Sequence, residues 1–226
     1  DMGMMRSQKI RLKLTKEQER LAWWYSKVSR NFWNLLVDID KRNNKGEFDE
    51  ILNKNGNKAY HSKFYDREIY SLNESDYRNL AKIVATKNYD KNKELWSWYY
   101  QPNQSFIYAS LSRELVKIRK QNKGRLNFRS VDKIQPNFNI CCSTSSNKKR
   151  PSRIYLKDSG KLQIPTIGDV RFGSVRAGFN LSCKKQVANI SFDGKYWYLS
   201  YTEDIEIKTD DLPDYTDGIG IDLGIK

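Results

Sequence analysis

Cysteine and histidine, the side chains typical of thiol redox sites and of zinc sites, are scarce in this chain of 226 residues. It has three cysteines, Cys141, Cys142 and Cys183, and one histidine, His61. An adjacent cysteine pair with one distant cysteine forms neither a disulfide framework nor the spacing of a zinc knuckle. This usage favours a reducing cytoplasm as the place where the protein works.

Long apolar stretches are also missing. No apolar run approaches the roughly 18 to 20 residues that a membrane span needs, and no signal peptide is visible. We therefore expect a soluble globular protein without a membrane partner, and we expect residues 1–5 to be a remnant or a frayed terminus. The length allows one large domain or two smaller ones.

Positive charge is what the sequence has in excess. Lysine and arginine number 41 against 27 acidic residues, which gives a formal net charge of +14. Between Arg113 and Arg153 there are 12 basic and 2 acidic residues, whereas residues 203–217 carry 7 acidic residues and one lysine. The basic excess predicts a polyanionic partner, and the acidic stretch is typical of a solvated linker.

The first regular pattern is a strict alternation over residues 8–14, which predicts a half-buried strand. One face is apolar, and the other carries Lys9, Arg11 and Lys13. The basic face has two open interpretations, a solvated surface or a track for a phosphate backbone. Thr15 and Gln18 then form a capping box, which marks the start of a helix.

Apolar residues recur at helical spacing from this cap to about Asp40, and again over residues 77–84 and 107–118. We expect three or four helices between residues 15 and 122, with a loop-rich insertion over residues 41–63. Trp23 and Trp33 lie off the apolar stripe of the first helix. We interpret them as candidates for contact with a partner.

After Ser130 the pattern changes to short strands separated by turn residues. The clearest hairpin joins Val187–Phe192 to residues 196–201 through Asp193-Gly194, a favoured type I′ pair. A strand, a helical block and then several strands predict an α+β fold in which a β-barrel is interrupted by a helical insertion.

The last predicted helix becomes basic toward its end and leads into a segment in which Phe128 stands between arginines. Arginine can bind phosphates in a bidentate manner and stack on bases, so nucleic acid is favoured over a merely solvated face. The basic residues concerned are Arg113, Lys117, Arg119, Lys120, Lys123, Arg125 and Arg129.

The final nine residues, 218–226, alternate Ile219, Ile221 and Leu223 with Gly220, Asp222 and Gly224. A strand with this pattern is apolar on one face and carries one carboxylate, that of Asp222, on the other. The neighbouring glycines allow a phosphate or a metal ion to come close to the backbone.

Taken together, the order of these parts resembles the TnpB (OrfB) family of transposon-encoded, RNA-guided nucleases and the compact type V CRISPR effectors. Five stretches carry the likeness and together span nearly the whole chain. They are the opening strand and helix start at 9–18, the basic helix and link at 104–129, the Gly-Lys-Leu-Gln-Ile-Pro pair of strands at 160–171, the hairpin at 193–200, and the Gly-Ile-Asp-Leu-Gly motif at 218–226.

The resemblance implies a wedge-like β-barrel (5–14 and 126–205), a helical recognition insertion (15–125), an acidic linker (206–217) and the first strand of an RNase H-like RuvC nuclease domain (218–226). It also implies that the protein binds a guide RNA and a target DNA with a short adjacent motif. By position, candidates for contacting that motif are Gln104, Ser105, Tyr108 and Asn139. The seven basic residues named above would contact phosphates.

In that family Asp222 would be a catalytic carboxylate and a ligand for Mg²⁺ in two-metal hydrolysis of phosphodiesters. One aspartate cannot form such a site, so we expect either a piece of a longer nuclease or a truncated, non-cleaving RNA-guided regulator. Gly-Ile-Asp-Leu-Gly also resembles the first phosphate loop of the actin, heat-shock-chaperone and sugar-kinase ATPases. The basic character of the preceding chain makes this alternative the weaker one.

Overall fold

The computed structural model describes residues 2–87, 104–122, 126–133, 135–140, 154–174 and 187–207. Within these ranges the chain forms an antiparallel seven-stranded sheet, a separate two-stranded hairpin and four helices. The predicted α+β class is therefore confirmed.

The four helices are α1 (Lys16–Asn44), α2 (Asp49–Lys54), α3 (Glu74–Lys87) and α4 (Gln104–Asn122). The strands are β1 (Met2–Lys13), β2 (Ala59–Ser62), β3 (Arg67–Tyr70), β4 (Asn137–Ile140), β5 (Tyr155–Leu156), β6 (Leu162–Ile164), β7 (Gly168–Phe172), β8 (Val187–Phe192) and β9 (Trp197–Ile207).

The N-terminal strand β1 is the centre of the large sheet, whose order is β4-β8-β9-β1-β7-β6-β5. It pairs with β9 over nearly its whole length, from Met2 opposite Ile207 to Leu12 opposite Trp197. The expectation of frayed residues at the start was therefore wrong for residues 2–5, because β9 is long enough to pair with them. β9 also reaches two residues into the segment predicted as a linker.

The described strands form an open sheet and not the predicted closed barrel. Strands β4 and β5 lie at opposite edges of the sheet order and are not paired with each other within the described residues. Closure requires every strand to have two neighbours, and hydrophobic alternation alone does not specify which edges meet.

Helix α1 begins where the capping box predicts. The Thr15 hydroxyl accepts a hydrogen bond from the Gln18 amide at 3.2 Å, and the Gln18 side chain accepts one from the Thr15 amide at 3.0 Å. The buried face of the helix packs on the sheet, where the Tyr25 and Phe138 rings lie 5.4 Å apart. Since Phe138 belongs to the buried cross-strand row that continues through Ile190, Leu199 and Ile10, this contact joins the helix to the main core.

Residues 41–63 are more ordered than the predicted loop-rich insertion. Helix α1 continues to Asn44, α2 follows, and β2 pairs with β3 in a hairpin. The Asn43 side chain donates to the Tyr70 carbonyl at 2.9 Å, and Leu52 and Ile69 are buried. Buried asparagines anchor this segment. An asparagine-rich sequence predicts a loop because composition does not show which asparagines are buried.

A buried polar cluster holds the helices together around Asp40, which is only 4% exposed. Its Oδ1 accepts hydrogen bonds from the Tyr77 hydroxyl at 2.7 Å and from the Arg119 Nε at 3.0 Å. Asn44 donates to the Tyr65 hydroxyl at 3.1 Å and lies 3.4 Å from the other Asp40 oxygen. This cluster, Asp40, Asn44, Tyr65, Tyr77 and Arg119, links α1, α3, α4 and the β2–β3 hairpin, and we call it the Asp40 cluster.

The hairpin between β8 and β9 confirms the predicted strand pair but not the predicted turn type. A type I′ turn needs positive φ at both central residues, whereas only Gly194 has one, at 102°. Instead, the Asp193 carboxylate accepts hydrogen bonds from the amides of Lys195 and Tyr196 at 2.9 and 2.7 Å. The aspartate side chain therefore closes a wider loop.

Candidate nucleic-acid interface

One face of the large sheet lies opposite the buried row that contains Phe138 and Leu199, and it carries polar, basic and aromatic side chains. The register places Asn139, Asn189, Ser200 and Lys9 in one row across β4, β8, β9 and β1. A second row runs through Asn137, Ser191, Tyr198 and Arg11. Because paired residues of antiparallel strands project to the same side, these rows form one surface, which we call the outer sheet face.

Cations on the outer sheet face lie over tyrosine rings. The Arg11 guanidinium carbon is 3.3 Å from the centroid of the Tyr196 ring, and the Lys9 ammonium is 4.4 Å from that of Tyr198. The Lys195 ammonium lies 5.1 Å from the centroid of the same Tyr196 ring. Such cation–π contacts hold flexible cations in place, and a ring, unlike a carboxylate, does not neutralise their charge.

The carboxylate of Asp193 stands at the hairpin end of this face. The amides of Tyr196 and Lys195, which donate to it, lower the pKa of its carboxyl group. The pKa of the Tyr198 hydroxyl is raised, mainly by loss of solvent and then by its hydrogen bond with Asp193. At neutral pH the carboxylate is therefore ionised.

Helix α4 presents a basic row to solvent. Arg113, Lys117 and Lys120 are exposed and follow the i, i+4, i+7 spacing that places side chains on one helix face. Arg113 is 70% exposed and lies 3.6 Å from a Glu74 oxygen, a surface pair of little energetic consequence. Gln104 and Ser105 belong to the first turn of α4, and their side chains lie outside the described part.

Two other predicted site residues on α4 point inward. Tyr108 is buried, and its ring centroid is 3.8 Å from that of Phe32. Arg119 belongs to the Asp40 cluster, where its side chain is 24% exposed and Nη2 lies 3.0 Å from Asp40. The pKa of Arg119 is raised: burial opposes its charge, but Asp40 and Tyr77 favour it. Both side chains thus have intramolecular partners.

The basic link after α4 is fastened along α1. The Trp33 indole donates to the Asn127 carbonyl at 2.9 Å, and the Asn34 side chain exchanges hydrogen bonds with the Arg129 backbone at 3.1 and 2.7 Å. Trp33 is therefore buried and was wrongly interpreted as a partner contact, because it lies under this link. Phe128 remains 50% exposed with the Lys41 ammonium 3.9 Å from its ring.

Arg129, one of the predicted phosphate contacts, is held in place by neighbours of its own. Its guanidinium carbon is 4.0 Å from the Trp33 ring centroid, and Nη2 donates to Glu114 at 2.6 Å. Trp23 differs from Trp33, since it packs on Phe192 and Trp197 and is 42% exposed.

Asn139 joins the outer sheet face to α4. Its amide nitrogen donates to the Ser110 hydroxyl, and its carbonyl oxygen accepts from the Asn189 side chain at 3.0 Å. Ser110 lies on α4 between the predicted motif contacts at its start and the exposed basic row. The structure thus brings Asn139 together with the helix that carries the other candidates.

Three predicted residues, Lys123, Arg125 and Asp222, lie outside the described residues. Within the described ranges no three histidine, cysteine or acidic side chains are close enough together to hold a metal ion. No helix in those ranges is both long and apolar enough to cross a bilayer.

Tyr196 and Tyr198 were missed as site residues. Their signal is present in the sequence: they alternate with Trp197, Leu199 and Tyr201, which are buried. Period-two alternation places the first set on the opposite face of the strand. The sequence does not show that β1 pairs with β9. The position of Lys9 and Arg11 beside these tyrosines therefore could not be predicted.

Comparison with known proteins adds no family to this description. The sequence matches no protein-family model, and no protein of curated function matches it at a significant level.

Proposed function

We propose that this chain is the nucleic-acid-binding portion of an RNA-guided DNA endonuclease of the TnpB kind. The observation that carries the proposal is the outer sheet face, where Lys9 and Arg11 lie over Tyr198 and Tyr196. Fixed cations beside aromatic rings suit a single strand, because phosphates bind the cations and bases stack on the rings.

The arrangement of elements supports the same proposal. A helical region lies between β1 and the later strands, while β1 pairs with both β9 and β7 in the centre of the sheet. A wedge-like domain interrupted by a recognition insertion has this order. In the proposed protein the sheet and the exposed row of α4 bind guide RNA and target DNA, and base pairing supplies most of the sequence specificity.

Readout of a short motif beside the target is assigned to the junction of α4 and β4. Asn139 presents an amide there, and amides suit the edges of adenine. Its present bonds to Ser110 and Asn189 would have to be exchanged for base contacts. Gln104 and Ser105 are the remaining candidates, whereas Tyr108 supports the helix from within the core.

Cleavage would depend on Asp222 as one ligand of a Mg²⁺ site, and such a metal supplies an activated water for hydrolysis. The described residues hold no cluster of ligands that fits this ion. The catalytic part of the proposal therefore rests on the Gly-Ile-Asp-Leu-Gly motif alone.

The first test measures binding of single-stranded RNA against salt concentration. The triple variant Lys9→Gln/Arg11→Gln/Lys13→Gln should bind more weakly, and its log–log salt slope should be shallower by about 2 units, at about 0.7 per lost phosphate contact. The matched control Lys45→Gln/Lys54→Gln/Lys63→Gln removes the same charge from other exposed positions. Equal slopes for the two triple variants would contradict the assignment of the outer sheet face.

The second test addresses cleavage and uses the protein encoded by the complete reading frame. Asp222→Ala should abolish guided cutting of DNA while leaving RNA binding unchanged. If no cutting is seen with the unmodified protein but RNA copurifies with it, the non-cleaving regulator is the correct alternative. Purified protein that carries no RNA, judged by its ratio of absorbance at 260 and 280 nm, would count against both.

A further inference from the structure

A small cavity lies between the first half of α1 and the segment that leads into β4. Its volume is about 100 Å³, and its lining includes Trp23, Ser26, Lys27, Arg30 and Asn137. At about 10 to 15 Å³ for each water that a cavity holds, this is room for roughly seven to ten waters, and it is still below the several hundred Å³ of a pocket for a drug-sized molecule. The cavity can therefore hold one planar group but not a whole ligand.

Ser26 provides a buried polar group at this cavity. The residue is 6% exposed, and its hydroxyl has no hydrogen-bond partner among the described residues. A buried hydroxyl without a partner costs stability. Its position in the lining of the cavity indicates a ligand that supplies the missing hydrogen bond.

The rest of the lining defines the chemistry of that ligand. Trp23 is 42% exposed and offers an aromatic surface, while Lys27 and Arg30 add positive charge. None of the described lining residues is acidic. An aromatic wall, one buried hydrogen-bonding group and a basic rim suit a planar heterocycle attached to a phosphate.

Asn137 connects the cavity to the outer sheet face. It lines the cavity and also belongs to the cross-strand row that contains Tyr198 and Arg11. A strand that follows that row therefore passes the rim of the cavity.

We propose that this cavity, the Ser26 pocket, binds one unstacked nucleobase of a single strand whose neighbouring phosphates lie on Arg30 and Lys27. The inference rests on the proposed function in that the ligand is a nucleic acid, and it adds a base-binding site that the outer sheet face does not require. Ser26 would hydrogen-bond the base edge, and Trp23 would stack on its face.

The experiment compares two labelled 12-mers by fluorescence anisotropy, a normal single strand and an all-abasic strand of the same phosphate charge. Ser26→Ala should lower the affinity for the normal strand about 3- to 10-fold, the loss of one hydrogen bond, and leave the affinity for the abasic strand unchanged. Running RNA and DNA versions of both strands identifies which nucleic acid the pocket prefers.

Stability measurements separate a binding role from a structural one. Ser26→Ala should leave the melting temperature unchanged or raise it, because a buried hydroxyl without a partner is removed. The matched control Ser112→Ala removes a buried hydroxyl that donates to the Tyr108 carbonyl at 2.8 Å. That control should lower the melting temperature by about 2 to 4 °C without changing affinity for either strand.

Arg30→Gln tests the phosphate contact, with Arg20→Gln as a control of equal charge on the same helix. Arg30→Gln should weaken binding of both strands, and Arg20→Gln should weaken neither. Equal effects of Ser26→Ala on the normal and abasic strands would overturn the Ser26 pocket while leaving the proposed function intact. Failure of the unmodified protein to bind any of the strands would overturn both proposals.

Discussion

Arg119 and Arg11 are the same residue type in opposite settings. Arg119 lies in the helical region, where Asp40 and Tyr77 surround its partly buried guanidinium. Arg11 lies on the outer sheet face, exposed to solvent and 3.3 Å from the centroid of the Tyr196 ring. The first has a carboxylate as its partner, and the second has an uncharged ring.

This difference separates two uses of positive charge. Asp40 neutralises Arg119, so that arginine stabilises the packing of α1 against α3 and α4. An aromatic ring orients Arg11 but leaves its full charge available to a phosphate. The net charge of +14 counts both kinds of cation alike and therefore does not show which of them a partner can meet.

The largest expected effect comes from removing the carboxylate of the Asp40 cluster. Asp40→Ala leaves the Arg119 guanidinium without its partner, and loss of one member of a buried ion pair typically costs about 3 to 5 kcal/mol. Since Arg119 is still 24% exposed, we expect the lower end of this range. Urea unfolding followed by circular dichroism measures the free energy of unfolding.

The matched control for this prediction is Asp38→Ala, two residues earlier on α1. Asp38 is 47% exposed and lies 3.7 Å from Arg42, so its loss should cost less than about 0.5 kcal/mol. Similar costs for the two substitutions would mean that the Asp40 cluster does not hold the helices together.

The second effect, Tyr77→Phe, is smaller and depends on pH. The hydroxyl donates to Asp40 at 2.7 Å, and a hydrogen bond to a charged group contributes about 1.5 to 3 kcal/mol. Burial first, and then the neighbouring Asp40 charge, hold the pKa of Tyr77 well above its usual value. The folded state therefore keeps this proton at a pH where the unfolded state loses it.

The difference between the folded and unfolded pKa of Tyr77 sets the direction in which stability changes with pH. The stabilisation by the Tyr77 hydroxyl is complete below the unfolded pKa near 10 and is lost as pH rises above it, by at most about 1.4 kcal/mol per pH unit. Unfolding midpoints at pH 8, 10 and 11 should fall less steeply for Tyr77→Phe than for the unmodified protein.

The sequence could predict the features of the fold that depend on local signals, but not those that depend on residues far apart in the chain. The α+β class, the capping box and most strands follow from periodicity and turn residues, because those signals are local. The Asp40 cluster could not be predicted, since Asp40, Tyr77 and Arg119 are far apart in sequence and each is polar enough to be placed on the surface. Arg119 was accordingly assigned to phosphates together with its exposed neighbours Lys117 and Lys120.

Long-range pairing also limited prediction of the site. The basic face of β1 was recognised, but Tyr196 and Tyr198 were not, because only the pairing of β1 with β9 places them beside Lys9 and Arg11. The prediction of a closed barrel was wrong for the same reason. Alternation assigns residues to a face of a strand but does not identify the strand's neighbours.

The third effect concerns binding and tests the aromatic part of the outer sheet face. Tyr198→Leu should weaken binding of single-stranded RNA by about 1 to 2 kcal/mol, within the range measured for a stacked base. Tyr198→Phe keeps the ring and loses only the hydrogen bond to Asp193, so its affinity should be nearly that of the unmodified protein. Equal losses for the two variants would exclude stacking as the role of this ring.

The smallest effect separates the two arginines directly. Arg11→Gln should make the salt dependence of single-strand binding shallower by about 0.7 units, the value for one phosphate contact, while the free energy of unfolding changes by less than about 0.5 kcal/mol. Arg119→Gln should do the reverse, lowering stability while the salt slope of the folded protein stays the same. Binding titrations from 50 to 300 mM salt, with Arg20→Gln as the control for net charge, decide between these roles. If Arg119→Gln made the slope shallower and Arg11→Gln did not, the exposed cations over tyrosine would be ordinary surface charges, and the nucleic acid would bind at the helices.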